Sequence, residues 1–112
     1  MSDLRSQHCS NLSDNDVALN DIRITELVNQ LDPEWQFDKQ KQTISYSYEF
    51  KNYYQTMAFA NVIAQIAHQQ DHHPDLLITY NRCTVTYSTH SVGGLSLNDF
   101  ICAAKINAAL SI

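Results

Sequence analysis

The stretch ISYSYEF, residues 44–50, alternates apolar and polar side chains along its whole length. A period of two residues is typical of a β-strand with one buried face. The same alternation occurs just upstream in WQF, residues 35–37, and the polar residues 38–42 separate the two stretches. Because a short polar connection between alternating stretches favours a tight reversal of the chain, we predict a β-hairpin here.

Two more strands are predicted further along the chain, over residues 76–80 and 83–89, with a turn at Asn81-Arg82 between them. In the second of these, hydroxyl-bearing residues alternate with larger or more apolar ones. This pattern again indicates a strand in a sheet with one covered face.

Outside the strands, the apolar period lengthens to between three and four residues, which predicts amphipathic helices. The first runs from Ser13, with Ser13 or Asp14 as its N-cap, and ends at Asp32-Pro33. Its periodicity is imperfect, so an irregular stretch is expected near residues 20–23.

A second helix is predicted from Asn52 to a point before Pro74, because proline disfavours the helical conformation of the residue before it. A third is predicted over residues 97–109, where Ser96 and Asp99 have the spacing of a capping pair.

The order of elements is therefore helix, strand, strand, helix, strand, strand, helix, and the short connections favour hairpins over parallel crossovers. We predict an α+β fold in which a four-stranded antiparallel sheet has its helices packed on one face. Such a sheet leaves two unpaired edges, which small domains often cover with a second copy, so a homo-oligomer is expected.

The length of 112 residues and the apolar content of 44% fit one compact domain. The first 12 residues are polar and aperiodic, so we interpret residues 1–12 as a flexible lead-in and residues 13–112 as a single domain. The three cysteines, Cys9, Cys83 and Cys102, are widely spaced and form no CxxC pair. This usage, together with the absence of an apolar leader, predicts a reducing compartment and a cytoplasmic protein.

The formal net charge of −5 comes from 12 acidic residues against 7 lysines and arginines, and the basic residues form no cluster. Nucleic acid is therefore excluded as an expected partner, because its phosphates call for a basic surface. An anionic membrane surface is excluded on the same ground. The longest apolar stretch, residues 57–67, is interrupted by Asn61 and Gln65 and is too short to span a bilayer.

Four of the five histidines, His68, His72, His73 and His90, lie within 23 residues of one another. Two of them follow the second helix and one follows the last strand, and the ends of elements are where side chains converge on clefts. Imidazole titrates near neutral pH, so histidines on opposite sides of a substrate can act as acid and base. The cluster favours catalysis by proton transfer.

Three other interpretations stay open on the residues alone. His68 and His72 have the i, i+4 spacing of metal ligands on a helix, with His90 as a third ligand, although Gln69 replaces the zincin glutamate. Cys83 or Cys102 is a candidate nucleophile with a histidine partner, although each lies in an apolar pattern typical of the core. The histidines are also compatible with a plain surface loop.

The histidine segment belongs to a longer ordered pattern. HQQDHHPD at 68–75 is followed by YNR at 80–82, STH at 88–90, GLS at 94–96 and Asp99. Over residues 35–110 the chain resembles the pterin-4a-carbinolamine dehydratases. The resemblance implies a four-stranded antiparallel sheet with helices on one side, assembly as a homodimer or homotetramer, and no metal or organic cofactor.

The resemblance also implies an activity: dehydration of a 4a-hydroxytetrahydropterin to the quinonoid dihydropterin, which regenerates the pterin for aromatic amino acid hydroxylases. On this interpretation His72 and His90 are the general acid and base, in an order left open. His73 positions the pterin and contributes to proton transfer.

Four further positions are implied as substrate-binding: Trp35 and Pro74 shape the pocket, Asp99 orients His90, and His68 stands where many members of the family carry glutamate. Because a carboxylate raises the basicity of a neighbouring imidazole, His68→Glu is predicted to raise the optimal pH.

A non-enzymatic alternative also stays open. Some members of the family act as dimerisation partners or coactivators of transcription regulators, so the chain is also compatible with a binding module on the same fold.

Overall fold

The computed structural model describes residues 3–13 and 15–110. Its helices and strands confirm the predicted order and fold class. They are α1 (Asp21–Val28), β1 (Gln36–Asp38), β2 (Thr43–Glu49), α2 (Tyr53–Gln70), β3 (Asp75–Ile78), β4 (Arg82–Tyr87) and α3 (Leu97–Leu110), with single 3₁₀ turns at Leu4–Ser6 and His90–Val92.

The four strands form one antiparallel sheet in the order β1-β2-β4-β3. The predicted hairpin is present, with Phe37 opposite Ile44. Strands β2 and β4 form the centre, where Tyr46 lies opposite Val85 and Ser47 opposite Thr84. Strand β3 forms one edge and β1 the other.

The two faces of the sheet differ as the alternation predicts. Ile44, Tyr48, Val85 and Tyr87 point to the helices and are at most 5% exposed. On the other face, polar side chains bond to one another: the Ser47 and Thr84 hydroxyls are 3.1 Å apart, and Arg82 donates to Glu49 at 2.7 Å. Burial of the first set holds the helices to one face.

The second helix follows its sequence signals closely. The Asn52 side chain accepts a hydrogen bond from the Gln55 amide at 2.9 Å and so caps the first turn. Phe59 and Ile63, one turn apart, are buried in the core. Asp71 ends the helix in the left-handed conformation, with φ of 52°.

The start predicted for the first helix is wrong. The helix begins at Asp21 rather than Ser13, because the Asn20 side chain caps it by accepting from the Arg23 amide at 2.9 Å. It also ends at Val28, before the predicted stop at Pro33. The alternative cap, Asp14, lies outside the described residues.

The residues just before this helix are held as irregular backbone. The Leu19 amide donates to the carbonyl oxygen of Leu95 at 2.9 Å, which ties the segment to the turn before α3. Val17 is 83% exposed, so it contributes nothing to an apolar helix face. The imperfect periodicity therefore belongs to an irregular segment that is hydrogen-bonded to the turn before α3, and not to a helix.

Residues 3–12 lie against α3. Leu4 is buried at 5% exposure, and Lys105 donates to the Arg5 carbonyl oxygen at 2.8 Å. Further along, the Ser10 amide donates to the Asn98 side chain at 3.1 Å. The division into a lead-in of residues 1–12 and a domain of residues 13–112 stays a prediction, but the described part of that lead-in contributes to the core.

Over residues 3–13 and 15–110, none of the helices combines the length and the apolar character that crossing a bilayer requires.

Candidate functional site

Two adjoining cavities open where α2 and β4 end. One of about 280 Å³ is lined by residues of segments 71–75 and 86–91, and the other, about 260 Å³, by residues of segments 41–42, 88–90 and 93–94. They share Ser88, Thr89 and His90. Small-molecule sites usually occupy about 300 to 1,000 Å³, so the two cavities together suit a compact ring system.

The end of α2 places two of the predicted histidines at this opening. The amides of Asp71 and His72 both donate to the Ala67 carbonyl oxygen, which reverses the chain after the last helical turn. The chain then passes through His73 and Pro74, which belong to no helix or strand, into β3. His72 and His73 consequently line the first cavity.

The side chain of His72 is held in place by a hydrogen bond to α3. Its Nε2 lies 2.6 Å from Oδ1 of Asp99, and the two side chains are 13% and 0% exposed. Its ring also stacks on Tyr87, with centroids 5.5 Å apart and planes 15° from parallel. The imidazole is therefore fixed in position and orientation, with Nδ1 left outside the bond to Asp99.

The second oxygen of Asp99 is held just as firmly. Oδ2 accepts from the Thr89 hydroxyl at 2.8 Å and from the Ser96 amide at 2.9 Å. The Ser96 contact confirms the predicted capping pair, although the Ser96 hydroxyl bonds Thr89 at 2.7 Å instead of capping the helix. Asp99 is thus a buried carboxylate with hydrogen bonds on both oxygens, near the positive end of α3.

This geometry corrects the partner predicted for Asp99. The resemblance implied that Asp99 orients His90, but among the described residues its carboxylate bonds His72, Thr89 and Ser96.

The surroundings of His72 shift its protonation. Burial lowers the pKa of His72, whereas the hydrogen bond and the negative charge of Asp99 raise it, and the net effect is a pKa above the usual value for histidine. Asp71 and Cys9 add smaller contributions in the same direction. His72 therefore keeps its proton to a higher pH than an ordinary histidine.

His90 reaches the cavities from a closed turn. The Thr89 amide donates to the Gly94 carbonyl oxygen at 2.7 Å and closes the loop, and His90 begins the 3₁₀ turn inside it. A Cβ on Gly94 would lie 3.0 Å from the Ala18 Cβ, so a larger residue here would have to displace the segment before α1 by a few tenths of an ångström. His90 and His73 are both exposed, and His90 lines both cavities.

Three other predicted site residues do not line either cavity. His68 is exposed in the last turn of α2. Trp35 is 3% exposed in the core, where its indole N–H donates to Asn107 at 2.5 Å and its ring meets the Tyr46 ring edge-on. Pro74 lies between two lining residues and is half-buried. Their roles as substrate contacts stay predictions.

Some participants were not singled out from the sequence. Thr89 was quoted only as the neighbour of His90, yet its hydroxyl bonds both Asp99 and Ser96. Tyr87 lies in the predicted strand over residues 83–89, but no sequence pattern indicates that His72 packs against its ring. Lys41 and Gln42 come to the second cavity from the β1–β2 turn, which no local pattern indicates.

The two chemical alternatives gain no support from the arrangement. Over the part of the chain that the structure describes, no three histidine, cysteine, aspartate or glutamate side chains are grouped to hold a metal ion. Burial raises the pKa of the Cys83 thiol within β4. The pKa of Cys102 is also raised, by the Cys9 thiol and by burial, so neither is activated as a nucleophile.

The chain resembles known proteins over almost its whole length. The family model described as "Pterin 4 alpha carbinolamine dehydratase" matches residues 17–109. Two bacterial relatives carry the name "Putative pterin-4-alpha-carbinolamine dehydratase". The one from Nitrosospira multiformis is 48% identical over 110 residues, covering 98% of this chain and 95% of the relative. The one from Legionella pneumophila (strain Corby) is 47% identical over 109 residues, with 97% and 96% covered.

A solved structure shows the same fold. The crystal structure of a protein from Brucella melitensis, named as a transcriptional coactivator/pterin dehydratase, superimposes with a TM-score of 0.77 at 34% sequence identity. The match covers 81% of this chain and 96% of that one.

Proposed function

Since the chain belongs to the pterin-4a-carbinolamine dehydratase family and is a dehydratase, a carbon–oxygen lyase, we propose that it dehydrates a 4a-hydroxytetrahydropterin by histidine acid–base catalysis. The observation that carries this proposal is the pair of unlike histidines on one cavity. His72 is buried and bonded to Asp99, whereas His90 is exposed on the same opening.

The reaction needs two proton transfers. The hydroxyl on the 4a carbon leaves as water once it receives a proton, and N5 loses its proton as the new double bond to that carbon forms. The proton lost from N5 replaces the proton supplied to the leaving group, so the enzyme returns to its starting state. General acid and general base groups on the two sides of the substrate are sufficient for this chemistry.

The environments support a division of labour that the sequence left open. His72 is the proposed acid, because Asp99 stabilises its protonated form. His90 is the proposed base, because its exposed side chain lies at the junction of the two cavities. His73 lines the first cavity beside them and is proposed to position the pterin. Asp99 acts through His72 and is a positioning residue.

The proposal extends to the setting of the reaction. The quinonoid dihydropterin product would be recycled for pterin-dependent aromatic amino acid hydroxylases. Both proton transfers are assigned to side chains, so the proposed mechanism uses neither a metal nor an organic cofactor. We further propose a cytoplasmic location and a homodimer or homotetramer, which sedimentation equilibrium would distinguish.

The test is the rate of 4a-carbinolamine dehydration, followed in a coupled assay with a pterin-dependent hydroxylase. We expect strong acceleration by the native protein and a loss of about 100- to 10,000-fold in His90→Ala. His8→Ala is the matched control, because His8 is an exposed histidine that lines neither cavity, and it should retain the native rate.

Folded native protein that does not accelerate dehydration would contradict the proposal. It would favour the binding module, an alternative consistent with the words "transcriptional coactivator" in the name of the Brucella protein. Replacement of His72, His73 and His90 together by alanine separates the two functions, since binding to a regulator would survive and dehydration would not.

A further inference from the structure

Two of the three cysteines meet on the side of α3 that faces the N-terminal segment. The Sγ atoms of Cys9 and Cys102 are 3.5 Å apart, although the residues are 93 positions apart in the chain. Cys9 is half-buried and Cys102 is fully buried. The third, Cys83, is buried in β4.

Several hydrogen bonds hold Cys9 in this place. Its amide donates to the Gln70 side-chain oxygen at 2.8 Å, at the end of α2. The backbone of the next residue, Ser10, makes two hydrogen bonds with the side chain of Asn98 on α3. The Ser10 amide donates to Asn98 Oδ1 at 3.1 Å, and Asn98 Nδ2 donates to the Ser10 carbonyl oxygen at 2.8 Å. The backbone of Cys9 is therefore held where its thiol faces that of Cys102 on α3.

The neighbours of Cys9 also favour its reactive form. The pKa of the Cys9 thiol is lowered overall, and the largest cause is a hydrogen bond from Cys102. Burial and the charge of Asp99 raise this pKa, whereas the charges of His72 and Lys105 lower it. A thiolate that is half-buried rather than sealed is the form that oxidants attack.

We propose that Cys9 and Cys102 form a reversible disulfide when the protein meets a hydroperoxide, so that the pair is a redox modification site that fastens the N-terminal segment to α3. This modification is separate from the proposed dehydration and does not depend on it. A disulfide needs an S–S distance of about 2.05 Å, so the sulfurs must approach by roughly 1.5 Å through side-chain rotation.

The reaction balances in two steps. The Cys9 thiolate attacks one peroxide oxygen, breaks the O–O bond and becomes a sulfenic acid, while the other oxygen leaves and takes up a proton as water or an alcohol. The Cys102 sulfur then attacks the sulfenic sulfur and displaces its oxygen as water. The two thiols lose two electrons in total, and these reduce one peroxide.

The modification would lie directly behind the candidate site. Cys102 Sγ is 4.0 Å from the carbonyl oxygen of His72, and Cys102 follows Asp99 by three residues on α3. Oxidation would also remove the negative charge that Cys9 carries when it is ionised, and this charge favours protonated His72. A link between the redox state and the pH dependence of the site is therefore expected.

The test is disulfide mapping of the native protein after treatment with hydrogen peroxide. Cleavage on the N-terminal side of aspartate puts the three cysteines in different peptides, at residues 3–13, 75–98 and 99–112. We expect peptides 3–13 and 99–112 of the same chain to be joined by a disulfide that disappears on reduction. The peptide that carries Cys83 should keep its free thiol.

Two variants sharpen the result. Cys9→Ser should abolish the linked peptide, and Cys83→Ala is the matched control that should retain it. A native protein whose Cys9 is oxidised to sulfinic acid while Cys102 stays a free thiol would overturn the proposal. So would a link that joins two chains rather than one, seen as a dimer on a non-reducing gel.

Discussion

The two histidines proposed as acid and base line the same cavity from opposite kinds of surroundings. His72 is 13% exposed, bonded to a fully buried aspartate and stacked on Tyr87. His90 is exposed on a turn that is closed through the backbone of its neighbours Thr89 and Gly94. His72 and its partner Asp99 are therefore part of the buried interior of the protein, whereas His90 lies on its surface.

The difference means that the two sides respond differently to mutation. A change at the His72 side disturbs buried hydrogen bonds and costs stability along with activity. A change at His90 removes a functional group and leaves the core alone.

The largest effect is expected from Asp99→Ala. The substitution leaves the Thr89 hydroxyl, the Ser96 amide and His72 without their buried acceptor, which should lower the free energy of unfolding by about 3 to 5 kcal/mol. His90→Ala should change it by less than about 0.5 kcal/mol. Urea unfolding at fixed protein concentration, followed by the fluorescence of the single tryptophan, Trp35, measures both.

Equal losses of unfolding free energy in Asp99→Ala and His90→Ala would contradict the difference described between the two histidines. His90 would then contribute to the core as much as Asp99 does.

A smaller loss is expected from Thr89→Val. The substitution keeps the shape of the side chain but removes the donor to Asp99, which should cost about 1 to 3 kcal/mol. Thr84→Val is the matched control on the open face of the sheet, where the hydroxyl bonds only an exposed serine, and it should be within about 0.5 kcal/mol of native. The same urea experiment checks both, and comparable losses would contradict the role given to Thr89.

The pH dependence of stability tests the bond between His72 and Asp99. The pKa of His72 is raised in the folded protein, so its stabilising contribution is complete below the unfolded pKa of about 6.5 and is lost as pH rises through the folded value. The stability difference between native protein and His72→Gln should therefore shrink as the pH rises. Unfolding curves over this range measure it, and a difference that grows with pH would mean that folding lowers the pKa of His72 instead.

The smallest effect is expected at His68. Glutamate there should raise the optimal pH of dehydration, since a carboxylate favours protonated imidazoles nearby. His68 is exposed and lines neither cavity, so solvent and salt screen its charge and we expect a shift of roughly a few tenths of a pH unit. The pH–rate profile of His68→Glu measures it against His68→Gln, and identical profiles would sink the prediction.

The strands and α2 were predictable because their signals are local. The alternation in residues 44–50 describes one buried face whatever lies above it, and Asn52 caps α2 with its own side chain. The start of α1 could not be predicted in this way, because Val17 and Leu19 fit the apolar spacing of a helix in the sequence. Only the hydrogen bond from Leu19 to Leu95 shows that this segment is held by a distant turn.

The candidate site was predictable in part for the same reason. The resemblance brought His72, His73 and His90 together, and the structure does place all three on one cavity. The partner of Asp99 was missed because the resemblance implied His90, whereas the packing of α3 against the end of α2 brings the Asp99 side chain to His72. The burial of Leu4 was missed too, since one apolar residue in a polar segment carries no periodicity.

The packing of the N-terminal segment on α3 has a consequence for how the chain folds during synthesis. Contacts such as Cys9 to Cys102 and Arg5 to Lys105 join residues 93 and 100 positions apart. The N-terminal segment leaves the ribosome before α3 and can make these contacts only after α3 has emerged, and Asp99 reaches His72 only with that same helix. Contacts of such long range are formed late and slowly, so the packing of the N-terminal segment and the bond from Asp99 to His72 should be among the last contacts to form.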